Sequence, residues 1–169
     1  LKKREGTVVW DVGRRIEILR LPPLWGSQSF SADGRWFLAG PLRTSTQNPR
    51  LCDLSISPPA VREFTEMPRG WNAHTLSPDG KFFVIGGITK GGMRLIDAST
   101  FRAVMDYRYP GEHTLRSVLW NASSGFFLTC SHTEDISCWY PDKPDPAWIL
   151  PAHAGDVYMP ALFNNDTCL

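Results

Sequence analysis

The sequence predicts an all-β fold made of short strands that repeat along the chain. Its composition is 42% hydrophobic and 21% charged, which is the balance of an ordinary globular domain. The chain also contains 14 glycines and 14 prolines, which indicate many turns. No segment of the 169 residues shows a convincing amphipathic-helix periodicity over ten or more positions. Short apolar runs instead alternate with polar turns, as in antiparallel sheets.

The first repeated landmark is a hairpin, in which an apolar strand end, a polar turn and a second apolar strand follow one another. Its turn contains Asp33-Gly34 in one copy and Asp79-Gly80 in the next. Asp-Gly between apolar runs is a strong hairpin signal, because glycine adopts positive φ at little cost. The residues that end the first strand of each hairpin are 46, 44 and 43 positions apart: Phe30, Leu76, Trp120 and Phe163.

A second landmark repeats in step with the first. It is the end of a later strand, followed by Asp in three of four copies, and successive copies are 42, 44 and 43 positions apart: Trp10-Asp11, Cys52-Asp53, Ile96-Asp97 and Trp139-Tyr140. Two landmarks that keep the same spacing over four copies indicate a true internal repeat. Each repeat holds four short strands with polar turns between them.

A four-stranded unit of about 40–45 residues is typical of one blade of a β-propeller. We therefore predict a single, partial β-propeller domain over residues 1–169, with four-stranded antiparallel blades. It has about three complete blades and partial blades at both ends. The approximate boundaries are 1–24 (partial), 25–68, 69–110, 111–152 and 153–169 (partial).

Two arrangements of the ends are compatible with the sequence. The chain is either about half of a larger ring, or residues 7–21 and 157–169 pair into a composite blade that closes a small ring. The first is preferred, because the chain lacks a starting Met and ends inside a predicted strand at Cys168-Leu169.

Three motifs resemble the WD-repeat family. Trp10-Asp11 is the dipeptide that gives the family its name, and Ser77-Pro-Asp-Gly80 is similar to the family's turn before the second strand. Pro151-Ala-His153-Ala-Gly-Asp-Val157 is similar to its Gly-His entry into a blade, with Ala in place of Gly. The resemblance covers nearly the whole chain. With the turn chemistry, it implies structural roles for Trp10, Asp11, Asp33, Gly34, Asp53, Asp79, Gly80, Asp97, His113 and Trp139.

The repeats also depart from the family pattern. WD repeats often contain a His, Asp, Ser/Thr and Trp set that forms hydrogen bonds within a blade. The third complete blade offers His113, Ser131 and Trp139 for this set, with no clear Asp. The first two complete blades have Cys52-Asp53 and Ile96-Asp97 where the family has Trp-Asp.

The resemblance and the absence of catalytic motifs predict a non-catalytic scaffold that binds proteins or peptides through rim loops. Four residues precede predicted first strands and are candidate partner-binding residues on one rim: Trp25, Arg69, Trp71 and His153. Packing between blades is an equally good interpretation of Trp25 and Trp71. The alternative function is a sensor or substrate-gating propeller attached to a kinase, nucleotidase or hydrolase domain outside this segment.

No catalytic, metal or cofactor site is predicted. The chain has no nucleophile elbow, P-loop or H-E-x-x-H motif. Cys130, His132 and Cys138 are the best metal candidates, but a closed zinc site usually needs a fourth ligand and none is evident. The four histidines are predicted to be structural: His74, His113, His132 and His153.

Net charge, hydropathy and cysteine usage lead to predictions about partners, membrane spans and cellular location. The net charge of +1 predicts no nucleic-acid partner, and no apolar run approaches the roughly 20 residues of a membrane span. Three of the four cysteines lie in apolar runs, which favours free thiols and an intracellular location, in the cytoplasm or nucleus. The chain is expected to be part of a larger protein or complex.

Overall fold

The chain folds into antiparallel sheets joined by turns and loops. The computed structural model describes residues 6–24, 26–41, 47–65, 71–87, 92–108, 115–132, 135–151 and 160–162. Within these ranges there are fourteen strands and no helix. The predicted all-β fold of repeated four-stranded antiparallel units is therefore confirmed. No helix in these ranges is long and apolar enough to cross a membrane.

The strands form four open sheets in chain order, and each strand pairs with its sequence neighbours. Sheet 1 contains β1 (Thr7–Asp11) and β2 (Ile16–Leu21). Sheet 2 contains β3 (Gln28–Phe30), β4 (Trp36–Ala39), β5 (Arg50–Asp53) and β6 (Ala60–Glu63). Sheet 3 contains β7 (Trp71–Leu76), β8 (Phe82–Gly87), β9 (Gly92–Asp97) and β10 (Ala103–Arg108). Sheet 4 contains β11 (Leu115–Trp120), β12 (Phe127–Ser131), β13 (Asp135–Trp139) and β14 (Trp148–Pro151).

The Asp-Gly turns join the first two strands of sheets 2 and 3. Gly34 has a φ of +70° and Gly80 a φ of +71°, a conformation that glycine adopts readily because it lacks a Cβ. The strand-ending landmarks occupy one register in three sheets: Phe30 lies opposite Phe37, Leu76 opposite Phe83, and Trp120 opposite Phe127. The sequence repeat is therefore also a structural repeat.

A hydrophobic core fills each gap between successive sheets. Phe37 packs in the core between sheets 1 and 2, whereas the next residue, Leu38, packs in the core between sheets 2 and 3. Phe83 and Val84 divide in the same way between the cores on the two sides of sheet 3. Successive side chains of a strand point to opposite faces. The second strands of sheets 2 and 3 consequently contribute side chains to the cores on both sides.

Contacts between the sheets are concentrated at their first strands. The backbone of β3 lies close to that of β7, and the backbone of β7 lies close to that of β11, whereas the backbones of the described outer strands β6, β10 and β14 approach only their own sheets. The outer strands β6 and β10 reach the next sheet through the side chains of Arg62 and Tyr107. Two bonds join sheets 2 and 3 near their first strands: Leu76 N donates to Ser29 Oγ at 3.0 Å, and His74 Nε2 lies 2.7 Å from the Ser27 carbonyl. The four-stranded sheets therefore approach most closely at their first strands.

Two aromatic side chains are exposed although their repeat equivalents are buried. Trp10 is 56% exposed, whereas the equivalent Cys52, Ile96 and Trp139 are each 0% exposed. Phe30 is 51% exposed, whereas Leu76 and Trp120 are 3% and 6% exposed. In sheets 3 and 4 the preceding four-stranded sheet covers these positions. Trp10, expected to be structural, thus makes no packing comparable with that of Trp139.

The pairing proposed for the chain ends lies mostly outside the described residues. Of residues 157–169, only 160–162 are described. Among the described strands, sheet 1 contacts no strand of sheet 4.

Replacing the two turn glycines with alanine tests whether the first hairpins pack against each other. A Cβ on Gly80 would lie 2.6 Å from Trp36 Cδ1, whereas a Cβ on Gly34 would meet no atom within 4 Å. Gly34→Ala carries only the cost of the left-handed backbone, about 1 kcal/mol. Gly80→Ala adds overpacking of about 1–3 kcal/mol. Chemical denaturation measures both variants, and equal losses of stability would contradict this packing.

Candidate functional site

The hairpin turns between the first and second strands share one hydrogen-bond pattern. We call these segments the turn row: Ser31–Arg35, Ser77–Lys81 and Asn121–Phe126. In the first turn, Ser31 Oγ donates to Asp33 Oδ1 at 2.5 Å and accepts from Trp36 N at 2.9 Å. The second turn repeats both bonds, from Ser77 to Asp79 at 2.7 Å and from Phe82 N to Ser77 at 3.0 Å. These bonds satisfy turn amides that strand pairing leaves over.

Asn121 takes the place of the serine in the third turn. Its Oδ1 accepts from Phe126 N at 2.9 Å, and its Nδ2 donates to Ser123 Oγ at 2.6 Å. Asn121 therefore accepts the same backbone hydrogen bond as the serines of the first two turns, and its side chain is buried.

Hydrogen bonds also connect one turn to the next across the sheets. Ala32 N donates to the Pro78 carbonyl at 2.7 Å, and Asp79 N donates to Ser124 Oγ at 3.0 Å. The three turns are thereby linked in one continuous line at the same end of sheets 2, 3 and 4. A line of turns fixed by backbone bonds forms a rigid surface.

The turns between third and fourth strands lie at this same end. Asp53 Oδ1 accepts from Ser55 N at 3.0 Å, and Arg35 Nη2 donates to Asp53 Oδ2 at 2.8 Å. The hydrogen bond from Arg35 lowers the pKa of Asp53 to about 2, with a further contribution from Ser55 against the effect of burial. Bonds from Ser99 and Thr100 lower the pKa of Asp97 in the same way. These carboxylates are ionised at neutral pH and stabilise the turns in which they lie by accepting hydrogen bonds.

Cationic side chains project outward from the turn row. The Arg35 side chain is 49% exposed, and its guanidinium lies 4.7 Å from the centroid of the Trp36 ring. Lys81, at the equivalent position of the next turn, is 73% exposed with Nζ 3.2 Å from Asp79 Oδ2. Sequence reasoning identified Asp33 and Asp79 but missed these cations. The signal was present, because a basic residue follows both Asp-Gly pairs.

His74 is buried between sheets 2 and 3. A carbonyl oxygen only accepts hydrogen bonds, so Nε2 carries the proton that it donates to Ser27. A Cβ on Gly40 would lie 1.8 Å from this nitrogen, so the ring fits closely against the neighbouring backbone. Burial lowers the pKa of His74, although the bond to Ser27 opposes this effect. The imidazole is therefore a neutral packing group in the folded chain.

The indole of Trp139 bonds to a hydroxyl other than the one that the family resemblance implied. The resemblance offered Ser131 as the hydroxyl of the His, Ser/Thr and Trp hydrogen-bond set, but Trp139 Nε1 donates to Thr129 Oγ1 at 2.8 Å. Both hydroxyls lie on β12 with 0% exposure. Trp139 lies opposite Phe127, which places Thr129 two residues along the facing strand. His113, the other expected member, lies outside the described residues.

The cysteines of β12 and β13, which are the metal candidates of the sequence, do not lie opposite each other. Cys138 lies opposite Leu128, and Cys130 lies opposite Ile136, so the two thiols are offset by two residues. Both are buried and free, as is Cys52, whose pKa burial raises to about 11. In the part of the chain that the structure describes, no group of three or more His, Cys, Asp or Glu residues could hold a metal ion.

The predicted partner-binding residues fall largely outside the described residues. Trp25, Arg69 and His153 are not described. The backbone of Trp71 begins β7 and lies opposite Gly87, whereas Leu76, next to the turn row, lies opposite Phe83. Trp71 is therefore at the end of sheet 3 that is farthest from the turn row.

No protein family model and no curated protein matches this chain.

The buried histidine predicts a pH-dependent stability. Because burial lowers the pKa of His74 in the folded state below its usual value of 6.5, the unfolded chain binds more protons there as the pH falls through this range. The free energy of unfolding should fall as pH drops below 6.5, by at most about 1.4 kcal/mol per pH unit. Urea titrations between about pH 7.5 and pH 5.5 measure this slope. His74→Gln should reduce it, and an unchanged slope in that variant would show that His74 is not responsible.

The bond between Trp139 and Thr129 predicts a second stability change. Thr129→Val keeps the volume but removes the hydroxyl acceptor, which should cost about 1–3 kcal/mol of unfolding free energy. Thr129→Ser is the matched control, because it keeps the hydroxyl and loses one methyl group at about 1 kcal/mol. Denaturant unfolding compares the variants. A valine variant as stable as the parent chain would show that this bond contributes nothing.

Proposed function

We propose that the sheets are blades of a β-propeller of the WD-repeat type. Three features support this: the repeat of about 43 residues, the approach of sheets 2–4 at their first strands, and the cores between successive sheets. Sheets that are close at one strand and diverge at the other spread around a common axis. The exposed faces of Trp10 and Phe30 are surfaces that a further blade would cover.

We further propose that the chain is a non-catalytic scaffold that binds proteins or peptides through loops at the ends of its blades. The observation that carries this proposal is the turn row, in which hydrogen bonds join the turns of three successive sheets. Such bonds hold the sheets in fixed positions relative to one another. Loops attached to the opposite ends of those sheets then have a rigid base, which lowers the entropy lost on binding.

The proposed binding end is the one opposite the turn row. Trp71 begins β7 at that end, and the sequence predicts that Trp25, Arg69 and His153 also precede first strands. Trp and Arg are the residue types enriched among side chains that dominate binding energy. In the turn row, in contrast, the carboxylates accept hydrogen bonds from the backbone of their own turns. The turn row therefore supplies the control residue for a binding experiment.

Alanine substitution on the two ends tests this assignment. In cells that express the tagged chain, Trp71→Ala should reduce recovery of specific partners about tenfold or more, because an anchoring Trp typically contributes at least 2 kcal/mol. Lys81→Ala, on the exposed turn row, is the matched control and should leave recovery unchanged. Quantitative mass spectrometry of affinity-purified complexes measures both variants, and thermal unfolding verifies that each is folded. Unchanged recovery with Trp71→Ala would remove Trp71 as an anchor, and a loss confined to Lys81→Ala would place binding at the turn row.

A further inference from the structure

The third turn of the turn row contains the sequence pattern for N-linked glycosylation. Asn121-Ala-Ser123 matches Asn-x-Ser/Thr, in which a sugar chain is attached to the asparagine side chain. Asn165-Asp-Thr167 is the second match in the sequence, and it lies outside the described residues. Because Asn121 is described, the structure shows what its side-chain amide does in the folded chain.

Both ends of this amide form hydrogen bonds that close the turn. Asn121 Oδ1 accepts from Phe126 N at 2.9 Å, as a serine hydroxyl does in each of the first two turns. Asn121 Nδ2 donates to Ser123 Oγ at 2.6 Å. The nitrogen that would receive a sugar is therefore bonded to the hydroxyl of the same sequence pattern.

The backbone of the turn keeps Asn121 inside the protein. Asn121 is 4% exposed, its N–H donates to the Phe126 carbonyl at 3.0 Å, and its carbonyl accepts from Ser124 N at 3.0 Å. Ser124 Oγ in turn accepts from Asp79 N of the neighbouring turn at 3.0 Å. Exposing the Asn121 amide would therefore break bonds within sheet 4 and strain the bond to sheet 3. Protein interiors are also packed too densely to admit a sugar ring.

We propose that Asn121 accepts an N-linked sugar chain only before the chain folds, and that this modification and the native third turn exclude each other. In the transfer, Asn121 Nδ2 loses one proton and forms a bond to the anomeric carbon of a lipid-linked oligosaccharide. The bond between that carbon and the diphosphate oxygen of the donor breaks, and the lipid diphosphate leaves with the bonding electrons. The modified nitrogen then carries a bulky, hydrated group that belongs at the protein surface.

A sugar on Asn121 would leave the turn without its closing bonds. If the side chain turned outward to expose the sugar, Phe126 N would lose its acceptor. If the side chain stayed in place, the sugar hydroxyls would be buried without partners. The native turn is therefore confined to molecules that escape the transfer.

This constraint supports an intracellular location, in the cytoplasm or nucleus, where proteins do not meet the transfer reaction. The cysteines support the same location by a separate route. Cys52, Cys130 and Cys138 are buried as free thiols, which is typical of proteins in reducing compartments.

Transfer in vitro tests whether folding closes the site. Purified oligosaccharyltransferase and a lipid-linked oligosaccharide are given either the folded chain carrying Asn165→Gln or a peptide of residues 117–127. We expect the peptide to be modified and the folded chain to react about a hundredfold more slowly or less, because transfer requires the turn to open. Equal rates would show that folding does not protect Asn121, and an unmodified peptide would show that Asn121 is not an acceptor. Mass spectrometry measures both products.

Expression of the same Asn165→Gln chain behind a secretion signal in mammalian cells tests the exclusion itself. Molecules with the sugar on Asn121 should be degraded by a limiting protease, whereas molecules without it should resist. Ser123→Ala is the matched control, because it removes the sequence pattern, keeps the bond from Phe126 N to Asn121, and should restore resistance.

Three results would overturn the proposal. Protease-resistant molecules that carry the sugar on Asn121 would show that the turn tolerates it. Protease-sensitive molecules that also lack the sugar would show that Asn121 is not modified in the unfolded chain. A Ser123→Ala chain that stays sensitive would show that the sugar is not the cause of misfolding. Neither experiment involves a binding partner, so the outcomes do not depend on the proposed scaffold function.

Discussion

The constraint on which this structure depends is that the second strand of each four-stranded sheet must be covered on both faces. Phe37 points toward one neighbouring sheet and Leu38 toward the next, and Phe83 and Val84 repeat this division. One sheet alone would leave such residues in water, at a cost of about 1.5–3 kcal/mol for each large side chain. Each sheet is thus stable only between neighbours, and the exposed Trp10 and Phe30 lie where that coverage is missing.

Polar groups follow the opposite rule and are satisfied locally. The Ser31–Asp33 and Ser77–Asp79 pairs bond to the backbone of their own turns, and other bonds, such as Ala32 to Pro78, cross between sheets. Apolar packing therefore supplies the attraction between sheets, while the turn bonds determine how they are aligned.

The sequence repeat predicted the strands, the hairpins and their equivalent positions well, because each depends on spacing and on local turn chemistry. It did not predict which groups meet across strands. Ser131 and Thr129 are both hydroxyl residues of one strand, and only the register places Thr129 beneath the Trp139 indole. The offset of Cys130 from Cys138 has the same origin, since a shift of two residues is invisible in a pattern of alternating side chains. The exposure of Trp10 and Phe30 depends on whether a neighbouring sheet covers them, and the identity of a single residue does not reveal this.

Positions where one repeat departs from its equivalents show what a neighbouring sheet contributes. Trp10 is exposed because a face lacks a covering sheet, and a further sheet stacked there would bury it. Leu150 of β14 is 45% exposed, whereas its repeat equivalent Tyr107 is 2% exposed because its ring packs against Phe127 and Trp139 of the following sheet. Exposure at these equivalent positions therefore depends on whether a neighbouring sheet covers the face, and not on the residue type.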